Sequence, residues 1–134
     1  MTKSIGYARV STTHQATDRQ VSALREAGCE VVFNEVISSR LPEEQRPQLQ
    51  ACLAVLQEGQ ELVLTELSRL GRTQHETIAR LHQLQSKGIH VRTLDGLINT
   101  KALGKLAPLV VGLLTGLNEV ERQLAKERTL ESIE

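Results

Sequence analysis

Ser11 is the residue around which chemistry could be built. It stands two positions after Arg9, and Arg46, Arg69 and Arg72 sit in loops or at helix starts further along. A serine hydroxyl is a weak nucleophile and needs activation or a strong electrostatic partner. Several arginines around one serine point to phosphate chemistry. Guanidinium groups fork onto phosphate oxygens and stabilise the charge of an in-line transition state. His14 is the histidine nearest in sequence, so a Ser-His-Asp triad fits poorly. Neither GxxxxGK[ST] nor GxGxxG occurs. Plainer readings of the same residues stay open. Ser11-Thr12-Thr13 can cap a helix, and Arg69-Leu70-Gly71-Arg72 can be an ordinary turn with two solvated arginines.

The elements that must position these residues follow from the apolar pattern. Ile5 to Val10 reads as a buried strand ending at the polar Ser-Thr-Thr. Gln15 to Ala27 reads as a helix with Gly28 as its stop. Val31-Val32-Phe33 is a second strand, and Ile37 to Gln45 a loop. Pro47 opens a helix that lasts until Gly59. Leu62-Val63-Leu64 is a third strand, followed by polar Ser68 to Thr73. A helix from about Thr73 to Lys87 stops at Gly88, and Ile89 to Leu94 is a fourth strand broken by Asp95-Gly96. Alternation of this kind means an α/β fold, a mostly parallel sheet flanked by helices. Functional groups in such sheets gather beyond the carboxyl ends of the strands. Those ends carry Arg9 and Ser11, then Glu35, then Ser68, Arg69 and Arg72.

The tail departs from this rhythm. From about Leu103 onward the chain reads as one long helix of roughly 25–30 residues, its start blurred by Pro108 and Gly112. The first half is apolar, with Leu106, Leu109, Val110, Leu113, Leu114 and Leu117. The second half is charged. Such a helix can pack on its own sheet, or project and offer an apolar row to a second copy. We divide the chain into a core over residues 1–102 and a helix over residues 103–134.

Composition bounds the partners. A chain of 134 residues suits one domain. One Tyr, one Phe and no Trp make the core aliphatic and leave little for stacking on bases. Lys plus Arg equals Asp plus Glu, 16 each, so no global basic field exists. The cations are nonetheless mostly arginine, 11 against 5 lysines, which suits phosphate. Cys29 and Cys52 show no metal spacing and read as buried free thiols of a cytoplasmic protein. The N-terminus lacks the apolar run of a signal peptide. The stretch from Leu106 to Leu117 is too short to span a bilayer.

Tyr7-Ala8-Arg9-Val10-Ser11-Thr12 resembles the active-site signature of the serine recombinases, the resolvase and invertase family. Arg69-Leu70-Gly71-Arg72 resembles the family's second signature and Arg46-Pro47 its third. Glu121-Arg122-Gln123 and Glu127-Arg128-Thr129 fall where the family's long helix carries the same pattern, and Ala27-Gly28-Cys29-Glu30 is similar to the invertase branch. The resemblance covers essentially the whole chain, in order and with family-like spacing. It implies a flavodoxin-like parallel sheet with a long C-terminal dimerisation helix that lies across the minor groove of double-stranded DNA. It implies site-specific recombination, in which Ser11 attacks a phosphodiester, forms a 5′-phosphoserine link and leaves a 3′-hydroxyl. Strand exchange would occur in a tetramer of two homodimers, with no cofactor and no metal.

Carried over residue by residue, Arg9, Arg69 and Arg72 would bind the scissile phosphate with Arg46 close by. Tyr7 belongs to the first signature, and Gln20 matches a polar position on the first helix. Arg122, Lys126 and Arg128 would face DNA or the dimer seam, and Leu106, Leu109, Val110, Leu113 and Leu117 would form the dimer contact. The acidic positions depart from the family pattern. Ser68 and Gln45 stand where aspartates precede the signature arginines, Gln60 stands where an aspartate opens the third strand, and Glu35 replaces an aspartate after the second. Val55 stands in place of a basic residue, and the loop from Glu35 to Arg46 is about two residues longer. These losses raise a second reading, a regulatory or catalytically impaired dimerisation module of the same fold. A receiver-like phospho-ligand module fits worse, since Asp18 and Asp95 are the only aspartates. Because the chain stops within the long helix, we expect a DNA-reading module to follow it in the natural protein.

Overall fold

The computed structural model describes residues 3–10, 14–36, 47–71 and 73–133. Strand β1 (Ser4–Val10) leads to helix α1 (His14–Glu26), strand β2 (Val31–Val36), helix α2 (Pro47–Val55) and strand β3 (Glu61–Leu64). A single 3-10 turn (Leu67–Leu70) precedes helix α3 (Gln74–Ser86) and strand β4 (His90–Thr93). All strand pairs are parallel and the order is β2-β1-β3-β4. This is the doubly wound α/β sheet that the alternating pattern predicts.

Local chemistry sets the element ends. Gly28 takes a positive φ of 102°, open to glycine without strain, and Cys29 N closes back on Leu24 O at 3.1 Å. Thr73 caps α3, its side chain accepting from Glu76 N at 3.1 Å. Pro47, lacking an N–H, occupies the first turn of α2, where that donor would have no helical partner.

The sheet buries two unequal faces. Ala8 and Val63 meet Leu24 of α1 and Cys29 on one side. On the other side Ile5, Tyr7, Leu62, Leu64 and Val91 pack beneath α2, α3 and the C-terminal helix. Small residues on the first face let α1 lie close; a Cβ on Gly6 would sit 3.2 Å from Leu24 and from the Cys29 sulfur. Cys29 and Cys52 are buried free thiols, as expected. Burial pushes Cys29 up to about 11 and Cys52 up to about 12.

The C-terminal helix starts later and in pieces. Helix α4 (Thr100–Leu103) is capped by Asn99, and Gly104 turns the chain at a φ of 57° into a 3-10 turn (Gly104–Leu106). Helix α5 then runs Ala107–Ile133. Pro108 falls in its first turn and needs no kink. One row of α5, Ala107, Val111 and Asn118, is buried, and α5 packs on α3. Asn118 Nδ2 meets His75 Nδ1 at 2.7 Å. The opposite row stays exposed, so the helix both packs on its own domain and presents an apolar face. Within the run Thr100–Arg128 an 18-residue stretch has a mean hydropathy of 1.3, enough by length and composition to cross a membrane. This departs from the expectation based on Leu106–Leu117, because α5 continues past Leu117. Its inner row is nevertheless committed to the domain.

Candidate active site

The sheet order reverses at β1, with β2 on one side and β3 on the other. A crevice opens beyond the carboxyl ends of β1 and β3, the usual ligand position in such sheets. Side chains alternate along β1, so Tyr7 and Arg9 share the face toward α2 and α3.

Arg9 is the centre of the described site. It is 3% exposed, and its Nη2 donates to the carbonyl of Ser68 at 3.4 Å. That contact ties the end of β1 to the Leu67–Leu70 turn. The β1–β3 ladder ends at Tyr7–Leu64. Beyond it the Gln20 side chain takes both main-chain groups of Arg9, accepting from its N at 3.2 Å and donating to its O at 3.3 Å. Arg69 pairs with Glu66 at 2.6 Å while its buried Nε has no hydrogen-bond partner among the described residues. Gly71 has an extended φ of −148°, so no backbone freedom is at stake. A Cβ there would lie 2.7 Å from Thr77 N, so glycine lets the turn press against the start of α3.

The predicted site residues thus fall into groups. Arg9, Arg69, Tyr7 and Gln20 are at or beside the crevice. Ser11, Arg46 and Arg72 lie outside the described residues, as does the loop from Ile37 to Gln45. Arg122, Lys126 and Arg128 are exposed on α5, with Arg122 paired to Glu119 at 3.4 Å. Leu106, Leu109, Leu113 and Leu117 are exposed by 59–62%. Val110 is turned further inward and lines a cavity of about 990 Å³ with Leu67, Ile78, Ile98 and Leu114. Arg9, Ser68 and Gly71 line the same cavity. The sequence pattern did not foretell this cavity, since it depends on where α5 crosses the crevice.

Glu35 is the residue sequence reasoning undervalued. It pairs in register with Arg9 and is buried. Its Oε2 accepts from the Tyr7 hydroxyl and from Leu49 N at 3.2 Å, and its Oε1 accepts from Gln48 N at 3.2 Å. Its position at a strand end, and its standing where the resembled family has an aspartate, were the signals available.

A doubly wound sheet with the buried Arg9 at the crevice of its switch point defines the class. The chain matches the family "Resolvase, N terminal domain" over residues 4–134, and it belongs to that family. It is 40% identical over 126 residues to the DNA-invertase of Escherichia phage P1, covering 93% of this chain and 65% of that protein. It is 41% identical over 127 residues to the serine recombinase gin of Escherichia phage Mu, covering 94% and 63%. The chain therefore spans just under two thirds of the length of these relatives. A resolvase family site-specific recombinase from Streptococcus pneumoniae superposes with a TM-score of 0.73 at 22% identity, covering 99% of this chain and 96% of that one. At that identity the likeness speaks for the fold alone.

Proposed function

We propose that this chain is the catalytic domain of a serine site-specific DNA recombinase. The observation that carries the reading is the Arg9–Ser68 contact, which joins the first signature to the second at the switch point of the sheet. The reaction is a transesterification. The Ser11 Oγ–P bond forms and the P–O3′ bond breaks; the serine proton is lost and the leaving 3′-oxygen gains one. One phosphodiester replaces another, so rejoining is the same step reversed and no external energy source is required. Arg9 and Arg69 supply guanidinium groups against the charge that builds on the phosphate, joined by Arg46 and Arg72 from the family pattern. The buried Arg69 Nε supports this role as a donor without a protein acceptor among the described residues.

Double-stranded DNA is the proposed partner. Arg122 and Lys126 are four residues apart on exposed α5, spaced to face a phosphate backbone together. A second copy covers the outer apolar row of α5, and a tetramer performs strand exchange. Tyr7 and Gln20 serve by positioning, since their side chains bond to protein groups. The compartment is the cytoplasm, where DNA is accessible and thiols stay reduced.

Covalent trapping tests the reading. The natural chain, or this domain fused to a DNA-binding module of known site, is incubated with supercoiled DNA carrying paired sites and quenched with detergent. An adduct mapped to Ser11 by peptide mass, and lost in Ser11→Ala, is the expected result. A folded, site-bound protein that forms no adduct would favour the regulatory module despite its family.

A further inference from the structure

We infer that Glu35 is a positioning residue that fastens the start of α2, and with it the Arg46–Pro47 junction, to the Tyr7 rung of β1. The inference rests on the recombinase reading. The carboxylate is fully engaged: Oε1 accepts from Gln48 N, while Oε2 accepts from Leu49 N and from the Tyr7 hydroxyl. Pro47 brings no N–H to the first turn, so Gln48 and Leu49 carry the first N–H donors that α2 leaves unsatisfied. A strand residue 13 positions upstream of Gln48 caps the helix. A negative charge there also faces the positive end of the helix dipole.

The placement links three parts of the proposed chemistry. Tyr7 is two residues before Arg9 on one strand, Glu35 is the register partner of Arg9 on the next, and Arg46 is peptide-bonded to the residue that opens α2. A shift of α2 along its axis therefore moves Pro47, the residue peptide-bonded to Arg46, relative to β1. Burial makes the fastening stiff: Tyr7 is 0% and Glu35 8% exposed. The family pattern has aspartate at this position. Here the longer side chain reaches the Tyr7 hydroxyl and two helix amides at once. Shortening it by one methylene breaks that joint reach.

The test uses the natural chain with DNA carrying its paired sites, or the fusion to a DNA-binding module described above. Glu35→Gln keeps the shape and removes the charge; Glu35→Asp keeps the charge and shortens the arm; Tyr7→Phe removes one donor and spares the fold. Each is read for DNA affinity, for the rate of adduct formation at saturating DNA, and for amide exchange at Gln48 and Leu49 against Val63 in the core. The expected result is adduct formation slowed about tenfold in all three, with affinity unchanged, because misplacement costs the transition state and not the bound state. Exchange at Gln48 and Leu49 should quicken in both Glu35 variants while Val63 stays protected. Faster exchange with an unchanged adduct rate would overturn the positioning role and leave Glu35 a structural cap. Unchanged exchange would overturn the fastening itself. A wild-type chain that makes no adduct would overturn the recombinase reading instead, a result separable from both.

Discussion

Gln20 holds Arg9 by its main chain: the amide of one side chain both accepts from Arg9 N, at 3.2 Å, and donates to Arg9 O, at 3.3 Å. It does for this residue what a neighbouring strand does for the rest of β1, past the point where the β1–β3 ladder stops. Arg9 is thereby held in extended conformation just before the chain reaches Ser11. Its guanidinium is held separately, by the Ser68 carbonyl.

Gln20→Ala should therefore cost more than its surface position on α1 suggests. Two main-chain groups next to a buried arginine lose their partners, a loss of about 1–3 kcal/mol in urea unfolding. Gln20→Glu keeps the acceptor and loses the donor, so about half that cost is expected. Adduct formation should slow by about tenfold in Gln20→Ala. A Gln20→Ala chain as stable and as fast as wild type would mean that the clamp holds nothing.

Gly71→Ala should destabilise the chain by about 1–3 kcal/mol, an overpacking effect rather than a backbone one. The added methyl meets Thr77 N at 2.7 Å and Thr77 Oγ1 at 2.9 Å, and main chain cannot rotate away as a side chain can. The start of α3 must retreat, which moves the Leu67–Leu70 turn and Arg69 with it. Urea midpoints check the stability, and amide exchange at Thr77 and Ile78 checks the location. If Thr77 exchanges as in wild type, the close approach is not the reason for glycine here.

These two residues mark how far the sequence could be read. The sheet was legible because β-branched runs such as Val31-Val32-Phe33 and stops such as Gly28 act over a few residues. The gathering of Arg9 and Arg69 was legible because strand ends of a parallel sheet meet on one edge. Gly71 looked like a turn glycine, yet its φ of −148° is open to any residue; its reason lies in α3, several residues on. Glu35 and Gln20 act across 13 and 11 positions, distances that no local pattern encodes. The start of α5 was blurred for a different reason. Pro108 looked like an obstacle, but Gly104 ends the short helix that Asn99 opens and leaves Pro108 in a permitted first turn.

Alkaline pH should weaken the fold through its thiols. The ordinary thiol value is 9.0, and burial raises Cys29 to about 11 and Cys52 to about 12. Between these values the unfolded chain has lost thiol protons that the folded chain keeps, so stability falls as pH rises. The contribution is fully present below about pH 9 and is lost as pH climbs through about 11 to 12. Urea unfolding at successive pH values should show this decline, and Cys52→Ala should flatten it while costing about 1–2 kcal/mol at neutral pH. Both thiols should react slowly with a disulfide reagent at pH 8 until the chain unfolds. Rapid labelling of the native chain would contradict their burial.

The outer row of α5 sets the last expectation. Leu109, Leu113, Leu117, Val120 and Leu124 are exposed by 46–62%, as is Leu106 in the turn just before α5, while Val111 and Asn118 on the inner row are buried. An apolar strip along one helix suits either a second copy or a bilayer. The inner row favours the copy, because a spanning helix would have to give up the Asn118–His75 bond and the α3 contact. Sedimentation should show a dimer whose dissociation constant rises about a hundredfold in Leu113→Glu. Leu113→Glu should leave the folded protomer intact, since its side chain touches little of its own domain. Added neutral phospholipid vesicles should leave the chain in the supernatant on flotation. A monomer at every concentration would remove the dimer, and recovery with the vesicles would give the row to the membrane.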